Sequence, residues 1–213
     1  MNTFKLICEN CGEEMNVPMT EFVDVSEDPK YKDAILDGSF FMVKCPACGD
    51  ETLVEYPVMY MDPGKKLTIY LAPDHEPDLV DQLNSLEIPD EAVDGEAVFR
   101  VVSFSSQLLE KIMIFDNGRD DRVMELYKAV VTESIREDWP DVTPVDLIYY
   151  ANDGEEYLII WDESTAPGDE KLTVLLDDGL YKNLESDYGY ALRIPAGKYA
   201  EVDSLWLAER AEI

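Results

Sequence analysis

Hydrophobic and polar residues alternate in short runs through the first half of the chain and recur at helical spacing in parts of the second. Residues 4–7 read as a strand leading into Cys8-Glu-Asn-Cys-Gly12, and residues 14–25 continue as an extended, alternating segment. Asp28-Pro29 offers a cap followed by a proline suited to a first helical turn, so a short helix is expected through Leu36, stopped at Gly38. Residues 39–44 return as a strand into Cys45-Pro-Ala-Cys-Gly49. Strands over 52–61 and 67–71 flank Asp62-Pro-Gly-Lys65, a hairpin signature.

A second set of elements follows residue 95. Residues 97–103 are strand-like, and residues 105–115 place Leu108, Leu109, Ile112 and Phe115 on one helical face before Asp116-Asn-Gly118 ends it. Asp120 or Asp121 caps a longer helix carrying Val123, Leu126, Tyr127, Val130, Val131 and Ile135, which stops before Trp139-Pro140. Residues 147–151 and 157–161 flank Asn152-Asp-Gly154 as a hairpin. Residues 172–176 and 190–194 add strands, Asp177-Asp-Gly179 reads as a turn, and 204–210 as a last strand or helical turn. The pattern predicts an α+β protein. It has a β-rich, zinc-ribbon-like module over residues 1–73, an acidic, proline-containing connector over 74–95 with a short helix near 79–86, and an α+β lobe with antiparallel hairpins over 96–213.

Charge narrows the partners. The 213 residues carry 47 acids against 17 bases, a formal charge of −30. The excess is shared evenly, fifteen negative charges on residues 1–94 and fifteen on 95–213, so it is no acidic tail. A surface of this sign disfavours nucleic acid, because neutralising phosphates needs clustered Lys and Arg. It equally disfavours an anionic membrane surface. No run approaches the roughly 18 apolar residues of a membrane span, and the first residues lack the apolar core of a secretory signal. A cytoplasmic protein is expected, and in that reducing setting four cysteines read as metal ligands or redox groups before disulfides.

The cysteines form the strongest motif. Cys8-x2-Cys11 and Cys45-x2-Cys48 are each followed by glycine (Gly12, Gly49). A two-residue spacer lets both thiolates of a pair face one ion, while the tight turn aims backbone N–H groups at the sulfurs and glycine accepts the positive φ. Two such knuckles supply a tetrahedral S4 shell at Cys8, Cys11, Cys45 and Cys48, which suits Zn2+ first and iron second. Rubredoxin-like iron sites share the spacing, but they usually carry aromatics beside the site, where this chain has Glu13-Glu-Met15 and Met42-Val-Lys44. Cys45-Pro-Ala-Cys48 resembles a dithiol redox motif only superficially, because residues 50–54 read as a strand instead of the helix such a site requires. Lys5 and Lys44, close to the knuckles, are candidates for easing the charge of four thiolates. Met15, Met19, Met42, Met59 and Met61 crowd the same module and read as core filling.

These motifs resemble a known family. Cys8-Glu-Asn-Cys-Gly12, Ile35-Leu-Asp-Gly38, Lys44-Cys-Pro-Ala-Cys-Gly49 and Pro57-Val-Met-Tyr-Met-Asp62 together look like the CpXC domain, a functionally uncharacterised family named for two cysteine motifs. Arg100-Val-Val-Ser103, Leu109-Glu-Lys-Ile112, Asp120-Asp121 and Glu125-Leu-Tyr-Lys128 are similar to family members as well, so the resemblance spans roughly residues 4–130. It implies that Cys8, Cys11, Cys45 and Cys48 are the family's four motif cysteines. Glu9 stands where the family name expects proline.

Little else points to chemistry. His75, the sole histidine, sits in Pro73-Asp-His-Glu-Pro77 and reads as a solvent-exposed loop residue. Asp116-Asn-Gly-Arg-Asp-Asp121 lacks the closing glutamate of a calcium loop and reads as a helix–helix turn. Acidic pairs such as Glu155-Glu156 and Asp162-Glu163 are expected by chance among 47 acids. The expected role is therefore a non-catalytic zinc protein with a structural ion, serving protein–protein interaction. The alternatives are an iron electron carrier, or an enzyme with a site between its lobes and structural zinc.

Overall fold

The alternation of residues 58–71 produces the centre of the first sheet. In the computed structural model, which describes residues 2–86, 95–162 and 171–210, strands β6 (Val58–Asp62) and β7 (Leu67–Leu71) form an antiparallel hairpin. Val58 and Tyr60 on one strand, and Leu67, Ile69 and Leu71 on the other, turn to the same buried face. Asp62 fixes the turn: its Oδ1 accepts the Lys65 N–H at 3.2 Å, and its Oδ2 lies 3.4 Å from Lys32 Nζ.

Earlier elements build the cysteine module. β1 (Asn2–Ile7) and β2 (Glu14–Met19) pair antiparallel, β3 (Phe22–Asp24) pairs parallel with β6, and α1 (Lys30–Leu36) follows Asp28, whose Oδ1 accepts the Lys30 N–H at 3.2 Å. The expected continuous segment 14–25 is thus two strands in two different sheets. The strand expected over 39–44 is also shorter. Gly38, at φ 80°, turns the chain into a 3-10 turn (Ser39–Phe41) that buries Phe41, and only Met42–Lys44 (β4) is extended, paired with β5 (Glu51–Leu53).

Two compact units emerge, one of residues Met1–Leu109 with Pro195–Glu201, the other of Glu110–Ile194 with Val202–Ile213. This differs from the expected boundaries. β8 (Val98–Val102) pairs parallel with β7, and β12 (Tyr199–Ala200) pairs parallel with β8, giving a five-stranded order β12-β8-β7-β6-β3. Residues 96–102 therefore belong to the first unit's sheet, not to a C-terminal lobe. Parallel pairing joins strands distant in sequence, which local periodicity does not register. The connector expected over 74–95 contains α2 (Leu79–Ser85), whose Asn84 accepts the Tyr199 N–H at 2.8 Å; residues 87–94 of it lie outside the described residues.

The second unit is built around α4 (Asp121–Asp138), capped by Asp120, whose Oδ1 accepts the Arg122 N–H at 2.9 Å. Before it, α3 (Ser105–Asp116) ends at the predicted Asp116-Asn-Gly118 stop. β9 (Pro144–Asn152), β10 (Glu155–Asp162) and β11 (Leu172–Leu175) form an antiparallel sheet in the order β11-β10-β9. Val123, Met124, Tyr127, Tyr149, Leu158 and Ile160 are all but completely buried. Two elements differ from expectation. The Asp177 turn is the start of α5 (Asp178–Tyr188), with Asp177 accepting the Gly179 and Leu180 N–H groups at 2.8 and 3.1 Å. Residues 190–194 form a turn and irregular backbone instead of a strand, and 204–210 resolve to α6 (Ser204–Arg210). Within this unit Arg119 bridges Glu156 and Asp178, and Glu156 also accepts the Tyr149 hydroxyl at 2.6 Å. Glu156 thereby serves as a structural anchor.

Candidate metal centre

Each knuckle is a tight turn between strands. The Cys8 N–H donates to Glu13 O at 2.9 Å and the Gly12 N–H to Cys8 O at 2.8 Å. The second knuckle repeats this, with Cys45 N–H to Asp50 O at 2.7 Å and Gly49 N–H to Cys45 O at 2.9 Å. Gly12 and Gly49 sit at φ 77° and 79°, a conformation that side chains with a Cβ rarely adopt. The first cysteine of each knuckle is buried and the second exposed.

The four sulfurs lie within 4.8 Å of one another. Across the knuckles, Cys8 Sγ is 3.6 Å from Cys48 Sγ, and Cys11 Sγ is 3.7 Å from Cys45 Sγ. Both spacings far exceed a disulfide bond of about 2.05 Å. They fit ligands of a single tetrahedral ion instead, since metal–sulfur distances of about 2.3 Å place sulfurs about 3.8 Å apart. The contacts interleave the knuckles, first cysteine to second in both directions, so one ion at their centre would join both turns. Met15 and Val17, with Phe4, Leu6 and Val43 packed on them, wall the buried side.

Hydrogen-bond donors surround the sulfurs unequally. The N–H groups of Cys48 and Ala47 point at Cys45 Sγ and bring its thiol down to about 7. At Cys11 the Glu13 N–H pulls the same way, but the Cys48, Cys45 and Cys8 sulfurs and burial push that thiol up to about 12. Cys8 receives the Cys11 and Asn10 N–H groups, yet burial and Cys48 hold it above its ordinary value. Four thiols this close do not all ionise unaided; a dication removes the conflict.

One contributor was not among the sequence candidates. Asn10, inside the first C-x-x-C, reaches across the site to place Nδ2 3.6 Å from Cys48 Sγ. The only signal was its position between the two cysteines. The two lysine candidates fare differently from expectation. Lys44 Nζ pairs with Glu51 Oε1 at 3.0 Å across β4 and β5, so its charge is spent on a carboxylate, and Lys5 is exposed on β1 opposite Asn16. His75 departs further: its side chain is only 13% exposed, with Nδ1 2.8 Å from Ala72 O and Nε2 3.4 Å from Glu201. A short loop between prolines folds it back onto the sheet end.

The family model described as CpXC protein matches residues 6–128, more than half of the chain. The chain belongs to the CpXC family. The CpXC region contains both knuckles, β6 to β8, α3 and the first turns of α4. No curated protein and no solved structure matches the chain. No helix among the described residues is long and apolar enough to cross a membrane.

Proposed function

We propose that this CpXC protein holds one structural Zn2+ through Cys8, Cys11, Cys45 and Cys48, and that it acts in the cytoplasm by protein–protein contact. The observation that carries the reading is the set of four sulfurs within 4.8 Å, interleaved across two N–H-lined turns. Four thiolates fill a tetrahedral shell and leave no position for water or substrate, which favours a structural ion over a catalytic one. The surrounding architecture also calls for a clamp. β1–β2 and β4–β5 are separate two-stranded sheets, and such hairpins are marginal alone. When bound, the ion supplies charge neutralisation and a cross-link, and the chain's own N–H groups and Asn10 orient the thiolates toward it. Met42 and Leu53, paired across β4 and β5 and both exposed, supply an apolar contact surface on the same module.

Elemental analysis of protein purified without added metal tests this. Near-stoichiometric zinc in colourless protein is expected. A red protein containing iron would replace zinc by an electron-transfer ion, and metal-poor protein with a disulfide at the knuckles would replace the metal site by dithiol chemistry.

A further inference from the structure

Six charged side chains are buried among the described residues of the second unit, and five of them, Glu110, Lys111, Asp121, Glu125 and Lys128, form one network. Lys128 Nζ lies 2.6 Å from Glu110 Oε1 and 3.1 Å from Glu125 Oε1. Lys111 Nζ lies 3.3 Å from Asp121 Oδ2 and 3.5 Å from Glu125 Oε1, and donates to Val202 O at 2.7 Å. Glu110 Oε1 also accepts the Tyr149 N–H at 2.6 Å. Two ammonium groups thus serve three buried carboxylates, and Asp146 of β9 stands close enough to feel both lysines.

A pocket of about 600 Å³ opens on this network between α4, β9 and α6. Glu125 and Lys128 give it a charged floor, the exposed Asp146 stands at its edge, and Val145, Leu147 and Leu207 give it apolar walls. Glu133 and Arg136 at its rim pair with each other at 2.5 Å and add no net charge. Asp146 Oδ1 takes only the N–H of its neighbour Leu147, at 2.8 Å, and among the described residues no cation stands within salt-bridge distance of this carboxylate. Burial pushes the Asp146 carboxyl up, against the pull of Lys128. An entering anion would meet an ammonium already held by two carboxylates. An entering cation would meet the surplus carboxylates, and burying ion pairs is favourable only when each charge finds its partner.

We propose that this pocket binds an organic ammonium with a short apolar or aromatic body, its head taken by Glu125 and Asp146 and its body lying along Val145, Leu147 and Leu207. The volume lies within the range of small-molecule sites.

The full chain is titrated with 2-phenylethylamine, and with 2-phenylethanol and 3-phenylpropanoate as neutral and anionic probes of similar shape. Binding is read from NMR shifts of the Val145 and Leu207 methyl groups. The amine is expected to bind roughly tenfold or more tighter than the alcohol, and the anion not at all. Asp146→Asn should cost about fivefold in amine affinity at unchanged thermal stability. Asp187→Asn, on the exposed face of α5, should cost nothing and controls for general attraction to an acidic protein. Equal affinity for amine and alcohol, preference for the anion, no shift with any probe, or equal losses in both variants would each overturn the assignment. Because Asp146 lies at the pocket's edge and outside the Lys128 ion pairs, its variant keeps the test clear of folding failure.

Discussion

The cysteine module and the second unit keep their elements in place by different means. Around the knuckles the buried apolar set is small: Met15 and Val17 join Cys8 and Cys45, and the two hairpins there are separate two-stranded sheets. In the second unit a long amphipathic helix, α4, packs against β9, α5 and α6 and closes over a contiguous core with tyrosines at its heart. Apolar burial at about 25 cal/mol per Å² favours the second arrangement strongly and the first weakly. What the module lacks in burial, the proposed S4-bound ion would supply as a cross-link, whereas the second unit buries six charges among its described residues. The contrast teaches that charge is tolerated where a core already exists, and concentrated at one point where it does not.

Removing a ligand breaks the comparison most severely. Cys45→Ser should abolish stoichiometric metal binding, and hydrogen exchange should then show lost protection in β1, β2, β4 and β5 while α4 and β10 keep theirs. Equal loss of protection in α4 would mean that the module has no separate source of stability.

Acid should weaken metal binding at the module, and in one direction. The Cys11 thiol near 12 and the raised Cys8 thiol must lose their protons to bind metal, while Cys45, near 7, gives up its own most readily. Protons therefore compete with the ion as pH falls. Displacing two protons weakens metal affinity by roughly a hundredfold per pH unit. Competition with a chelator between pH 8 and pH 6 measures it, and a flat profile would deny thiolate ligation.

The second unit is broken through its charges. Lys128→Met strands Glu110 and Glu125 without their shared cation and should cost roughly 3–5 kcal/mol in urea unfolding. Metal content should stay the same. Asn10→Ala is the gentlest change: losing one outer donor to Cys48 should speed metal transfer to a chelator by about tenfold, with folding unaltered.

How much of this could be read from the chain depended on the range of the interaction. The paired C-x-x-C-G motifs placed the four cysteines because each knuckle is a local turn, and the α3–α4 break was visible in Asp116-Asn-Gly118 for the same reason. Local signals also gave the α+β class and its hairpins. The pairing of Val98–Val102 with Leu67–Leu71 was not legible, since parallel neighbours leave no mark on either strand. α5 was hidden by its composition: only Tyr181 and Leu184 are buried, too few to draw an apolar stripe through DGLYKNLESDY. His75 was misplaced because its polar neighbours describe the loop and not the sheet end it returns to.

The two residues of β12 give the first sheet an order of assembly. Tyr199 and Ala200 cover one edge of β8, and every residue of the second unit from Glu110 to Ile194 is synthesised between those partners. During translation β8 therefore waits with an open edge while Glu110–Ile194 of the second unit are made. That interval exposes a bare strand to other chains, a known route to misassembly. The shortest strand among the described residues, late in the sequence, decides when the first unit's sheet is finished.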